Sequence, residues 1–230
     1  MKVALIADLH GNMPATLAVA DDIRKRGADA IYCLGDVVGK GPDSLETMDW
    51  ALEHCSLVLA GNWDLFIGDL PWYRDQLGEA RLHKLKSLPL EHWFTFSGRR
   101  VRLLHGRNLV PDCVYPDSPM EEQLQFFDTQ GRPQPDVVGF ADVHQPFFIR
   151  LSNAGVLFNT GSVGNPLFGQ TDASYVMLEG NLGDARGPLV HSIISVEYDR
   201  DEAIRRTLSR HGLPMADAFI TELRTGRYSR

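Results

Sequence analysis

Lys2-Val3-Ala4-Leu5-Ile6-Ala7-Asp8-Leu9-His10-Gly11-Asn12 opens the chain with an apolar, branched run that ends abruptly in polar residues. Such a run reads as a buried strand. In an open α/β sheet, ligands gather beyond the carboxyl ends of the strands. Residues i and i+2 of an extended segment share a side, so Asp8 and His10 can face one point. A hard carboxylate oxygen beside an imidazole nitrogen is the beginning of a metal site. An isolated Asp-x-His is common by chance, and an Asp at a strand end often serves a turn. Its weight comes from recurrence.

The pattern recurs down the chain. Asn12, with Pro14 behind it, caps a helix that Gly27 ends. Ala30–Leu34 reads as the second strand and runs into Gly35-Asp36. Asp43 and Glu46 form a capping box for a second helix whose apolar face is Leu45, Met48 and Leu52. Leu57–Ala60 is the third strand and runs into Gly61-Asn62-Trp63-Asp64. This β-α-β-α-β rhythm predicts a parallel sheet. A helix over 77–88 follows, then a hairpin turning at Ser97-Gly98 that delivers His105-Gly106-Arg107. Ser118 is expected to cap a short helix through Phe127. The strand Asp136–Phe140 leads to Asp142-x-His144, and a hairpin turns at Asn153-Ala154-Gly155. After a glycine-rich turn over 159–166, an antiparallel pair (173–178 and 189–198) precedes helices that start at Asp199 and Pro214. The chain is therefore an α/β protein with two sheets face to face and helices outside, in one domain over 1–230. The helices of about 199–226 are an appendage to it.

Composition narrows the function. Twenty-three Lys and Arg against 30 Asp and Glu give a net charge of −7, with no long basic run. This argues against a nucleic-acid partner. No stretch could span a bilayer, so no membrane partner is expected, and the N-terminus has no signal-like pattern, which points to the cytoplasm. Cys33, Cys55 and Cys113 are odd in number and widely spaced, unlike a disulfide framework. Exposed hairpin edges leave room for a homodimer.

The residues of ligand type at strand ends are Asp8, His10, Asp36, Asn62, His105, Asp142 and His144. Seven suit two ions with a shared carboxylate, a device of phosphoryl chemistry. The mixed N/O set favours Mn, Fe, Zn, Ni or Co over Ca or Mg. In an acidic protein such ions also supply the positive charge that a phosphate needs.

Asp8-x-His10, Gly35-Asp36-x-x-Gly39, Gly61-Asn62, His105-Gly106 and Asp142-x-His144, in this order, resemble the motifs of the calcineurin-like metallophosphoesterase superfamily. The turn Asn159-x-Gly161-Ser162-Val163-Gly164 is similar to that of its short, single-domain prokaryotic phosphodiesterase-like branch. The resemblance runs from residue 1 to about Tyr198. It implies a four-layer αββα sandwich. It also implies one metal on Asp8, His10, Asp36 and His144, and a second on Asp36, Asn62, His105 and residue 142. Through a metal-bridging hydroxide, the pair would hydrolyse phosphodiesters or nucleotide phosphoanhydrides, with Asp36, Asn62 and His105 as catalytic residues. Asn12, Trp63 and Arg107 are the expected contacts to a small phosphate-containing substrate.

Two positions depart from the family pattern. Trp63 stands where a His usually follows Gly-Asn, and an indole cannot act as a general acid. Asp142 replaces a usual His, and its extra negative charge is expected to weaken the pull on an anionic substrate and raise the pKa of the bridging water, or instead to favour a trivalent ion such as Fe(III) at the second metal. These departures keep two alternatives open, a phosphomonoesterase and a weakly catalytic sensor of metal or nucleotide.

Overall fold

The computed structural model describes residues 1–110, 113–129, 131–152 and 155–229. The chain begins with β1 (Lys2–Ile6), α1 (Met13–Lys25), β2 (Ala30–Cys33), α2 (Ser44–His54) and β3 (Leu57–Val58). Helices α3 (Asn62–Phe66) and α4 (Pro71–Lys86) follow. The second half contains β4 (Glu91–Phe96), β5 (Arg99–Leu104), α5 (Met120–Leu124), β6 (Val137–Phe140), β7 (Phe147–Leu151) and β8 (Gly155–Asn159). It closes with β9 (Ala173–Glu179), β10 (Val190–Val196), α6 (Arg200–Ser209) and α7 (Ala216–Thr225).

Ten strands form two mixed five-stranded sheets, in the orders β10-β9-β1-β2-β3 and β4-β5-β6-β8-β7. β1, β2 and β3 are parallel, as are β5, β6 and β8. β1 is apolar throughout because both its faces are covered. Ala4 and Ile6 meet the helical layer with Val19, Ile23, Met48 and Ala51. Val3 and Leu5 meet Phe96, Val101, Leu103 and Phe158 of the other sheet. The outer face of that sheet packs Phe140 and Leu157 on Phe126 and Phe127. This is the expected αββα sandwich, and each fully buried Leu or Phe in it contributes about 1.5–3 kcal/mol.

Local signals held where the partner was local. Asn12 Oδ1 accepts from the Ala15 N–H at 3.2 Å, capping α1. Asp199 caps α6 in the same way. Ser97 and Gly98 carry φ of 51° and 69°, the left-handed pair of a tight hairpin. Other expectations are corrected. Asp43 precedes α2 but makes no side-chain cap. Its carboxylate takes both arms of the Arg206 guanidinium at 2.7 Å, a stronger pairing than a cap. The buried face of α2 is Ser44, Thr47, Met48, Trp50 and Ala51, while Leu52 is exposed. α4 starts earlier than expected and is broken at Gly78 (φ 71°). Ser118 accepts from the Tyr115 N–H in a turn, and Pro119 occupies the cap of α5. Asn153 and Ala154, in the expected β7–β8 turn, lie outside the described residues.

Candidate metal centre

The parallel strands of both sheets end at the same pole, and their next residues meet there. Asp8, His10, Asp36, His105 and His144 are buried around one centre. Strand alternation is not what turns them inward. Asp8, His10, Asp36, Asp142 and His144 have φ of 54°, 44°, 53°, 71° and 59°. Residues other than glycine rarely adopt this left-handed region, although Asp and His enter it more readily than most. Such positions store about 1–3 kcal/mol each and cluster at functional sites.

Three imidazoles present Nε2 to the centre. Their Nδ1 atoms face the backbone carbonyls of Val38 (3.3 Å), Leu34 (2.9 Å) and Asn165 (2.6 Å) for His10, His105 and His144 respectively. A carbonyl only accepts, so each Nδ1 carries the proton and Nε2 is left as a ligand atom. The Nε2 atoms of His10 and His144 lie 3.2 Å apart, two lone pairs face to face. Asp8 Oδ1 is 3.5 Å from His144 Nε2 and 3.9 Å from the Nε2 of both His10 and His105. Both Asp8 oxygens are buried without a hydrogen-bond partner. Asp36 Oδ2 stands 3.7 Å from His10 Nε2 and 3.4 Å from His105 Nε2. Two overlapping sets, Asp8/His10/His144 and Asp8/Asp36/His105, each hold their ligand atoms within 4.8 Å of one another. Unpartnered carboxylate oxygens and converging lone pairs are what a cation would satisfy, so these residues fit a metal site.

Electrostatics leave two of the three imidazoles neutral and charge the third, His105, whose Nε2 proton a cation would have to displace. Burial, with Asp36 and Asp142 nearby, holds the Asp8 carboxyl well above the usual range. Burial and then the Lys40 charge push His10 and His144 down, keeping them neutral. Burial also opposes charge on His105, but the carboxylates of Asp36, Asp8 and Asp142 prevail and raise it to about 10.

Asp64, unassigned by the sequence reading, frames the centre. One oxygen accepts from the N–H groups of Asp36 and Gly61 (both 2.8 Å), the other from Val37 (3.0 Å) and Val38 (3.3 Å). It thus ties the loop after β2 to the start of α3. Its place three residues after the capping Gly61 was the available signal. Gly61 is required because any Cβ there would overlap the Asp36 carboxylate.

A cleft of about 370 Å³ opens over the centre, with Asp36, Asn62 and His144 in its lining. Asn62 Oδ1 lies 3.1 Å from His105 Nε2. Trp63 gives its backbone N–H to Asp36 Oδ1 at 2.8 Å, and its ring lies edge-on to His10 at 5.6 Å. Asp142 lines the cleft, but its Oδ2 is turned to Arg107 Nε (3.0 Å) and Cys113 Sγ (3.4 Å), outside both three-residue sets. Asn12 is not in the lining. Its amide donates to Gly164 O at 2.8 Å while its oxygen caps α1. Lys40, Tyr115, Phe168 and Tyr228, not singled out from sequence, complete the wall.

Comparisons with known proteins identify the family. A sequence model described as "Calcineurin-like phosphoesterase superfamily domain" matches residues 1–181. The chain is 26% identical to "Uncharacterized protein MJ0912" of Methanocaldococcus jannaschii, over 89% of this chain and 90% of that one. It is also 26% identical to Phosphodiesterase YfcE of Escherichia coli, over 79% and 89%. A metallophosphoesterase structure from Sphaerobacter thermophilus superposes with a TM-score of 0.78 at 27% identity, covering 98% of this chain and 100% of that one. The chain belongs to the calcineurin-like phosphoesterase superfamily and is, with it, a phosphoric ester hydrolase.

Proposed function

We propose that the protein is a dinuclear metal-dependent phosphoesterase acting on phosphodiesters or nucleotide phosphoanhydrides. One observation carries this reading: the buried Asp8 carboxylate, without a hydrogen-bond partner, lies within 3.5–3.9 Å of three imidazole Nε2 atoms. Asp8, His10, Asp36 and His144 would hold one transition-metal ion, and Asp36, Asn62 and His105 the other. Asp36 would be the shared ligand: its Oδ2 is 3.7 Å from His10 Nε2 and 3.4 Å from His105 Nε2, while Asp8 is common to both three-residue sets. Bound ions would supply Lewis-acid charge and an activated water.

The chain's own groups do the rest. Backbone carbonyls hold the three imidazoles in one tautomer and one direction. Lys40 and Arg107 stand at the cleft wall, each already paired with a carboxylate (Glu222 and Asp142) that a phosphate would have to displace. Trp63, Phe168 and Tyr228 offer rings to a planar substituent. Position 63 provides no group able to protonate a departing oxygen, which favours leaving groups that are stable as anions. The reading takes 1–230 as one domain, with Tyr228, beyond α7, completing the cleft.

The test is metal content of the purified protein together with Mn-supplemented turnover of an aryl phosphodiester, a dinucleoside polyphosphate and an alkyl phosphomonoester. Two metals per chain, with the first two substrates preferred, are expected. One metal or none after supplementation would end the dinuclear reading. An alkyl monoester as best substrate would end the leaving-group argument.

A further inference from the structure

A second concavity lies at the opposite pole, well away from the metal centre. It measures about 760 Å³, within the range of small-molecule pockets. Arg99, Val137 and Val156 line it at the amino-terminal ends of β5, β6 and β8, whereas His105 and Asp142 follow the carboxyl-terminal ends of β5 and β6. Three arginines, Arg99, Arg150 and Arg186, line this pocket. Among the described residues none of the three makes an ion pair, although the chain is acidic overall.

The site is held in shape. Arg99 Nη1 donates to the carbonyls of Ser97 (2.9 Å) and Gly187 (2.8 Å), which fixes the guanidinium and leaves its other nitrogens without a partner among the described residues. Arg186 crosses directly over Gly98, where a Cβ would strike its Cα and Cγ. Phe148 and His191 form one wall, their rings 5.2 Å apart. His191 Nε2 is buried and has no hydrogen-bond partner. Burial, then Arg99 and Arg150, push its pKa down, so the ring stays neutral and adds no competing charge. The single acidic residue of the lining, Asp136, already accepts from the Arg100 N–H at 2.7 Å.

We propose that this pocket is a second ligand site, separate from the metal centre, for an organic phosphate with a planar ring. The phosphates lie among Arg99, Arg150 and Arg186, and the ring lies against Phe148 and His191. Guanidinium clusters recognise phosphate oxygens in pairs. A bare phosphate chain would make no use of the aromatic wall formed by Phe148 and His191.

The test is calorimetric titration of the full-length, metal-loaded protein with α,β-methylene-ADP and, separately, with methylenediphosphonate, which lacks the nucleoside. The same titrations are run on Arg150→Ala/Arg186→Ala, whose side chains are exposed and outside the core. The intact protein should bind the nucleotide analogue at a site that the double variant weakens at least about tenfold, the worth of a lost charge-assisted bond. Aryl phosphodiester turnover of the variant should be unchanged. The Arg150→Lys/Arg186→Lys protein, which keeps the charge but not the fork, should be intermediate. Unchanged affinity in the alanine variant, no saturable binding, or equal affinity for methylenediphosphonate would each overturn the proposal.

Discussion

Glu222 in α7 meets Lys40, in the loop after β2, at 3.3 Å across 182 positions of sequence. Both side chains are largely buried, at 3% and 11% exposure. Asn165 joins them: its amide donates to Glu222 Oε2 at 2.9 Å, and its oxygen accepts from Lys40 Nζ at 2.5 Å. The backbone carbonyl of the same Asn165 orients His144. The last helix is thereby connected to the metal centre by direct bonds.

Glu222→Gln should therefore act at a distance. Leaving Lys40 buried without its carboxylate should cost about 2–3 kcal/mol, less than a fully broken pair because glutamine still accepts. In a chain of this size that lowers Tm by about 4–12 °C. Metal affinity should fall about tenfold through the loosened Asn165–His144 bond, as for other residues that orient a ligand. Thermal unfolding and metal titration of the variant check both.

Asp8→Asn separates stability from function. Burying an unpaired carboxylate is costly, so in EDTA the asparagine protein should melt at or above the parent temperature. Saturating Mn should raise the parent's stability by about 3–4 kcal/mol at 100–1,000 times Kd, and the variant's hardly at all. Melting curves with and without metal give all four values. A variant stabilised by Mn as strongly as the parent would remove Asp8 from the ligand set.

Proton linkage gives the metal-free protein an unusual slope. His105 is raised from 6.5 to about 10, and Asp8 is also raised. Above about pH 7.5, where the unfolded counterparts of the lowered His10 and His144 have already lost their protons, and up to about 10, the folded chain thus binds more protons than the unfolded chain, so stability falls as pH rises. The His105 contribution is fully present below 6.5 and lost through about 10. The limit is about 1.4 kcal/mol per pH unit for each proton. A cation displaces these protons, so apparent metal affinity should rise over the same window and saturating Mn should flatten the slope. Tm against pH, in EDTA and in Mn, shows whether it does.

Trp63→His tests the leaving-group argument directly. A protonatable ring at that position should raise alkyl phosphoester turnover relative to aryl by about 100-fold, the lower end of the general-acid range. The lost packing against Gly39, His10 and Phe66 should cost about 1–3 kcal/mol. Ratios of kcat/KM for the two substrate classes are the readout. An unchanged ratio would mean that protonation at this point does not limit the reaction.

The four-layer fold was legible because its signals are short-range. The apolar runs before Asp8, Asp36 and His105, the Asn12 and Asp199 caps, and the Ser97-Gly98 turn all depend on neighbours within a few residues. The convergence of the strand-end residues could be read too, although by alternation rather than by the left-handed backbone that produces it. What escaped depends on distant partners. Asp43 gives its carboxylate to Arg206 instead of its own helix, Asp142 turns to Arg107, and Lys40 is defined by Glu222 and Tyr228. Asp64 had a local signal, but its grip on residues 36–38 requires the two loops to be side by side. No periodicity records such pairings.

The two sheets contribute separately to the centre: Asp8, His10, Asp36 and Asn62 follow strands of one, His105 and His144 strands of the other. An ion gripped by both sets would rivet the sandwich shut across its seam, closing a loop from residue 8 to residue 144 much as a disulfide would. Losing it would then release a mechanical fastening as well as a reagent. The sheets could part at that rim first, so the lifetime of the folded molecule would follow the supply of metal.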